Sequence, residues 1–210
     1  MKKVLVICAL CALVLAGCAS SKKSVELSTA KPEVKATAES KIVGAEGIKQ
    51  PSWVTQLKDD KDFIYASGHA KFSNKINSEK AARMDANNNL GARCGEHIER
   101  VRNLYGNDAG DGNSSAVQQA FDEITRQTVD VLLYGVTQAD EWVDPDGGVY
   151  ILVAIPLENF RYSMNAAMDS VTEKKKAAAT TDADRAAADK ANEAMKAAME
   201  TYLNTLSASK

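Results

Sequence analysis

The stretch from Val136 to Ile155 constrains the fold more than any other. Val136 to Val143 reads as a strand, Asp144-Pro145-Asp146-Gly147-Gly148 as a turn, and Val149 to Ile155 as a second strand stopped by Pro156. Strands joined so tightly pair as an antiparallel hairpin. The second, Val-Tyr-Ile-Leu-Val-Ala-Ile, is apolar almost throughout, which places it centrally in a sheet with little exposed face. A further strand is offered by Phe63 to Ala70, where Phe63, Tyr65, Ser67 and His69 alternate with Ile64, Ala66, Gly68 and Ala70. Its smaller side can accept a closely packed helix.

That helix is available from about Ser78, with Asn77 as its cap and Ala82, Ala86, Leu90, Cys94, Ile98 and Val101 recurring at spacings of three and four. Asn87 to Asn89 and the glycines Gly91 and Gly95 weaken its intrinsic propensity, so packing on the sheet must do more of the stabilising. Asn107 to Asn113 is a loop by composition. Ser115 with Gln118 resembles a capping box, and Val117, Phe121, Ile124, Thr128, Val131 and Leu132 give a second amphipathic helix ending at Gly135. After Pro156, the stripe Leu157, Phe160, Met164, Ala167 or Met168 and Val171 packs on the domain. Thr181-Asp182-Ala183-Asp184 then caps an Ala-rich helix, supported by the pairs Arg185 with Asp189 and Lys196 with Glu200. Its stripe of Ala188, Ala191, Met195, Met199, Tyr202 and Leu206 is narrow, so this helix is expected to project or to meet a partner helix.

The amino-terminal end carries a different message. Met1-Lys2-Lys3 and an apolar run from Val4 to Leu15 lead into Leu15-Ala16-Gly17-Cys18. The run is short of the roughly 20 residues that cross a bilayer, and small residues follow it as in a cleaved export signal. An ordinary cleavage site and a retained amphiphilic helix are the competing readings. A lipobox is preferred, because Leu-Ala-Gly-Cys joins the small residues a signal peptidase needs to the one thiol that can carry a thioether lipid. The mature chain then begins at Cys18, bearing a diacylglycerol and an amide-linked acyl chain. One chain alone binds a membrane marginally and several bind durably. Ala19, rather than Asp, favours the outer membrane where that position sorts lipoproteins, and the leaflet stays open. From Ala19 to about Gln50 the sequence is polar and reads as a tether, which as a flexible coil would span on the order of 30 Å. Pro51-Ser52-Trp53-Val54 marks the start of order, with Trp53 pinned to the domain edge.

Composition excludes more than it assigns. A formal charge of −2 argues against a nucleic-acid binder. Of the 4 cysteines, Cys8 and Cys11 leave with the signal and Cys18 is lipidated, so only Cys94 stays as a thiol, without an internal disulfide or zinc site. It falls on the inward stripe of its helix as a small hydrophobe, with a disulfide between two chains as the alternative. No phosphate-cradling glycine loop, His-Glu-x-x-His, nucleophile elbow or Cys-x-x-Cys is present. His69 and His97 lie on different elements and are read as non-catalytic. The acidic and amide residues of the loop from Asn107 to Asn113, and Asp144 with Asp146, lack the alternating oxygen ligands of a calcium loop. Lys174 to Lys176 reads as a solvated helix face rather than a lipid contact, and Trp142 with Tyr150 as sheet packing rather than a ligand cage. No catalytic, metal or cofactor residue is assigned beyond the lipidation of Cys18, and the ligand-binding residues are left unassigned.

Four features in this order resemble the bacterial lipoprotein-twenty family. They are the lipobox, Pro51-Ser52-Trp53-Val54, then Tyr65-Ala66-Ser67-Gly68-His69-Ala70 leading into Ala81-Ala82-Arg83, and Trp142-Val143-Asp144 through Val149 to Pro156. The resemblance covers roughly Pro51 to Leu157. It implies a compact α+β domain with a long helix laid across an antiparallel sheet, in an outer-membrane lipoprotein. Some relatives build disks around the flagellar motor; His69 stands where a Gly is common and the Ala-rich extension is an addition, so that role is not carried over.

The expected organisation is a signal peptide over residues 1–17, a lipidated tether over 18–50, an α+β domain over 51–172 and a helical extension over 173–210. The expected role is non-enzymatic: a domain held at the outer membrane for contacts with itself or with other envelope proteins. The alternative is a periplasmic module that binds a small ligand or peptidoglycan in the cleft between sheet and helix. A pocket lined by Trp142, Tyr150 or Tyr65 favours the alternative, and a solid core counts against it.

Overall fold

The computed structural model describes residues 27–34, 40–109 and 114–208. Cys18 and its lipobox, and the part of the predicted loop at 110–113, lie outside the described residues. The fold is α+β. Three antiparallel strands, β1 (Phe63–Ala70), β2 (Thr137–Val143) and β3 (Val149–Pro156), stand in the order β1-β3-β2. Four α-helices accompany them among the described residues: α1 (Lys75–Ala109), α2 (Ser115–Leu132), α3 (Leu157–Ala178) and α4 (Asp182–Ala208).

The central place of β3 follows from its sequence, since a strand flanked on both edges has its backbone satisfied and can be apolar on both faces. It pairs along its whole length with β1, Ile64 opposite Ile155 and Ser67 opposite Leu152, and with β2, Trp142 opposite Tyr150. Ala139 is bulged out of the β2 register between Gln138 and Asp140. The turn at 144–148 is held by Asp144, whose Oδ1 accepts from the backbone N–H of Asp146 and of Gly148, each at 2.8 Å. Gly147 supplies the required positive φ of 82°.

The inward face of β1 is Ile64, Ala66 and Gly68, all buried. Against it α1 lays Ala82, Ala86, Leu90, Cys94, Ile98 and Val101, each no more than 1 % exposed. The approach is so close that a β-carbon at Gly68 would lie 2.2 Å from the backbone nitrogen of Ala86. Sheet and helix are therefore in direct backbone contact at this point, with no room for a ligand between Gly68 and α1. Local chemistry moves two helix starts from where the sequence puts them. Asn74, not Asn77, caps α1, its Oδ1 accepting from Ile76 N–H at 2.8 Å; Ser114, not Ser115, caps α2 through Val117 N–H. Helix α1 also runs on through Asn107 to Ala109.

The carboxy-terminal helix neither projects nor waits for a partner. Helix α4 turns back and buries Met195, Ala198, Met199, Tyr202 and Leu203 in the same core as α1 and α3. Its small residues let it lie close enough for these few large side chains to reach. The expected pairs within α4 are replaced by pairs between helices: Lys196 with Asp169 at 2.6 Å, Glu200 with Arg161 at 3.1 Å and Asp189 with Lys176 at 3.0 Å. Arg185 instead turns to Asp182. Thr181 is the cap, accepting from Asp184 N–H at 3.1 Å.

The stretch read as a tether up to Gln50 also corrects. Ser28 exchanges two 2.8 Å hydrogen bonds with the side chain of Asn159 on α3. Val34 packs against the second apolar cluster, Trp53, Trp142 and Leu152, on the outer face of the sheet. Residues 42–50 form a small turn bridged at Val43 and Lys49, and the Trp142 indole N–H donates to Ile48 O at 3.0 Å. Sparse apolar residues suffice here because hydrogen bonds add to the attachment: those of Ser28 with the Asn159 side chain, that of the Trp142 indole to Ile48, and that of Ala45 N–H to Val143 O at 3.2 Å.

Candidate functional site

Where α4 crosses α1, three side chains distant in sequence meet. Asp59 comes from the loop before β1, His97 from the inward stripe of α1, and Tyr202 from α4. His97 Nε2 is 3.1 Å from Asp59 Oδ2 and Nδ1 is within hydrogen-bond distance of the Tyr202 hydroxyl. An ionised carboxylate only accepts, so Nε2 carries the proton donated to Asp59; in the neutral ring Nδ1 then accepts from Tyr202. Arg93 donates to Asp59 at 2.7 Å, Tyr65 N–H donates to it at 2.9 Å, and Arg100 donates to the Tyr202 hydroxyl at 3.3 Å. The edge of Phe160 closes one side of the imidazole.

The electrostatics follow from those partners. Burial pushes the Asp59 carboxyl up, but the hydrogen bond from His97, the Tyr65 N–H and the Arg93 charge outweigh it and hold it below the usual carboxylate range. Burial pushes the Tyr202 hydroxyl above its ordinary value, against the opposing pull of Arg100. Carboxylate, imidazole and hydroxyl in this order can relay a proton when substrate reaches the hydroxyl. Here His97 is 3 % exposed and Tyr202 5 %. The trio joins the loop, α1 and α4 as a brace.

Cavities lie elsewhere. The outer face of the sheet carries a groove of about 410 Å³ floored by Val34, Trp53, Leu57, Tyr65 and Leu152, with Glu33 and Asp60 at its rim. Trp53 donates its indole N–H to Asp140 at 2.8 Å, and the Tyr65 hydroxyl donates to Asp60 at 2.7 Å. A second hollow of about 440 Å³ lies between Ala30, Asp62, Leu157, Arg161 and Ser207. His97 and Tyr202 line neither.

No family model, curated protein or solved structure matches the chain.

The residues singled out by sequence fall as follows. Cys18 lies outside the described residues. Cys94 is 1 % exposed and its thiol is pushed up to about 12, by burial first and the Asp59 charge second. His69 is exposed, with its ring 4.2 Å from that of Tyr150 and its Nε2 3.9 Å from Asp144. Trp142 is 2 % exposed and packs on Tyr150 with ring centres 5.5 Å apart, so neither lines the outer groove. Lys174 reaches across to Glu123 on α2 at 2.9 Å. That bond, with those from Arg126 and Gln127, brings the Glu123 carboxyl down to about 2. Among the described residues no group of three or more His, Cys, Asp or Glu side chains is placed to hold a metal ion, and no helix is long and apolar enough to cross a membrane.

Sequence reasoning left the Asp59, His97 and Tyr202 trio undetected. One signal was available: His97 sits in the same stripe as Cys94, Ile98 and Val101, and a buried imidazole requires polar partners.

Proposed function

We propose that this chain is a lipid-anchored protein of the bacterial outer membrane, held by acyl chains on Cys18, whose folded domain acts through protein contacts rather than catalysis. The observation that carries the reading is Leu15-Ala16-Gly17-Cys18 behind a basic start and a short apolar run. The ordered motifs that resemble the lipoprotein-twenty pattern support the same placement. The non-catalytic half is supported by the burial of the Asp59, His97 and Tyr202 trio, in which both ring nitrogens of His97 are engaged. Self-association through α4 loses its footing, since the apolar stripe of that helix is spent on α1 and α3; contacts must use other surfaces.

The deciding experiment is mass spectrometry of the natural product together with fractionation of a Cys18→Ser variant. An acylated amino-terminal peptide, and a variant that leaves the membrane fraction, are expected. An unmodified amino terminus on a freely soluble protein would refute the reading. A second reading, a ligand-binding module, has one observation in its favour: the groove over Tyr65 and Trp53 on the outer face of the sheet. Quenching of tryptophan emission by soluble peptidoglycan fragments tests it, and no change at saturating fragment would remove it.

A further inference from the structure

We infer that one end of the domain, the surface formed by Val131, Leu133, Tyr134 and Tyr162, rests on the headgroup region of the bilayer. The inference rests on the lipid anchor proposed at Cys18 and goes beyond it, because an anchor alone does not say which face of the domain meets the membrane.

The first ground is where the chain enters the fold. Leu27 is packed where α2 gives way to β2: a β-carbon at Gly135 would lie 3.4 Å from Leu27 Cδ1 and 3.3 Å from the Asn159 amide. Ser28 is fixed to the same Asn159 by its two hydrogen bonds. From Cys18 to Leu27 is nine residue steps, and nine steps reach at most about 30 Å in any conformation. The membrane anchor at Cys18 can therefore stand no more than that distance from Leu27, which is in turn packed at Gly135 and Asn159. The turn at 144–148 lies about 20 Å from Gly135, at the other end of the seven-residue strand β2.

The second ground is what is exposed at that entry. Tyr134, the neighbour of Gly135, is 92 % exposed, and Leu133 and Val131 are 43 % and 42 % exposed. Tyr162, one helical turn from Asn159 and so on its side of α3, is 42 % exposed. Two tyrosines beside branched aliphatic residues have the composition that settles at a membrane interface, ring in the acyl boundary and hydroxyl in water. Of the charges at the edge, Asp130 faces Arg126 at 3.8 Å, Arg126 is also paired with Glu123 and Arg161 with Glu200, while Glu158, beside Asn159, is an exposed acid that has to stay in the aqueous part of the headgroup layer. The connecting residues carry Lys22 and Lys23, which suit anionic headgroups.

The test uses the full lipidated protein in vesicles of phosphatidylethanolamine and phosphatidylglycerol. A nitroxide is placed through Asp130→Cys, one turn from Tyr134, and in a second sample through Asp146→Cys in the far turn; Cys94 is buried and does not label. The Asp130 label is expected to be several-fold less accessible to an aqueous nickel chelate than the Asp146 label, and more accessible to oxygen dissolved in lipid. Adding Tyr134→Ser and Leu133→Ser should return it to water. Equal exposure of the two labels on protein that floats with the vesicles overturns the inference and leaves the anchor standing. Protein that does not float overturns the anchor itself. Equal protection of the Asp130 label in a vesicle-free Cys18→Ser protein would assign the surface to a second copy of this chain instead.

Discussion

Replacing Gly68 by alanine tests the packing on which the whole domain is built. The added methyl carbon would lie 2.2 Å from Ala86 N and 2.3 Å from Ala82 O, both atoms of the α1 backbone. An ordinary contact is about 3.4 Å, so the helix must retreat by about 1 Å along a stripe that includes Leu90, Cys94 and Ile98. A gap of that size forfeits a quarter to a half of each dispersion contact it opens, and one unplaced methyl in a filled core typically costs about 1–3 kcal/mol. Because the obstacle is helix backbone rather than a side chain that can swing aside, a loss of about 3 kcal/mol is expected. Urea denaturation followed by the emission of Trp53 and Trp142 would show it. With a slope near 2 kcal/mol per molar, the midpoint drops by roughly 1.5 M. Gly147→Ala is the matched control, since Gly147 has φ 82° and nothing within 4 Å of an added carbon; it should lose only about 1 kcal/mol through backbone strain. A Gly68→Ala protein within about 0.5 kcal/mol of the parent, or no worse than Gly147→Ala, would refute the argument that α1 is seated directly on β1.

The brace between Asp59, His97 and Tyr202 gives a pH prediction. A carboxyl whose folded pKa is depressed adds stability that is complete above its unfolded value, near 4, and is lost as pH falls through the folded one. Asp59→Asn should therefore flatten the acid limb of stability below about pH 4 and destabilise at pH 7 by about 1–3 kcal/mol; parallel stability profiles across pH 3 to 7 would contradict the assigned partners. Tyr202→Phe leaves His97 Nδ1 without its donor and should cost a similar amount, read as faster tryptic cleavage at Lys190 and Lys196 in α4. The hydroxyls of Thr128 and Ser163 are buried without partners, so Thr128→Val and Ser163→Ala should be neutral or raise stability by up to about 1 kcal/mol in the same urea titration. Cys94 should react with iodoacetamide at pH 8 only as fast as the domain opens, so full labelling within seconds of mixing would contradict its burial.

The hairpin and the strand at Phe63 were legible because their signals are local: alternation, turn residues and a run apolar on both faces. The stripe of α1 was equally plain from its spacing. Helix α4 was misjudged because its sequence shows how few large residues it has, while its burial depends on how closely Ala-rich surfaces let helices approach. The polar stretch before Pro51 misled for a related reason. Composition counts side chains, whereas Ser28 and Ala45 are attached to Asn159 and Val143 through their backbone N–H groups. The trio was hidden by distance along the chain, with 38 residues between Asp59 and His97 and 105 between His97 and Tyr202.

Ala30 and Ser207 border the same hollow, so the first described segment and the last turn of α4 meet at one pole. A fluorescent protein or epitope fused behind Lys210 would be crowded against whatever that pole touches. A reporter inserted in the turn at 144–148 would stand clear of it, and is the better choice for imaging or pull-down from intact cells.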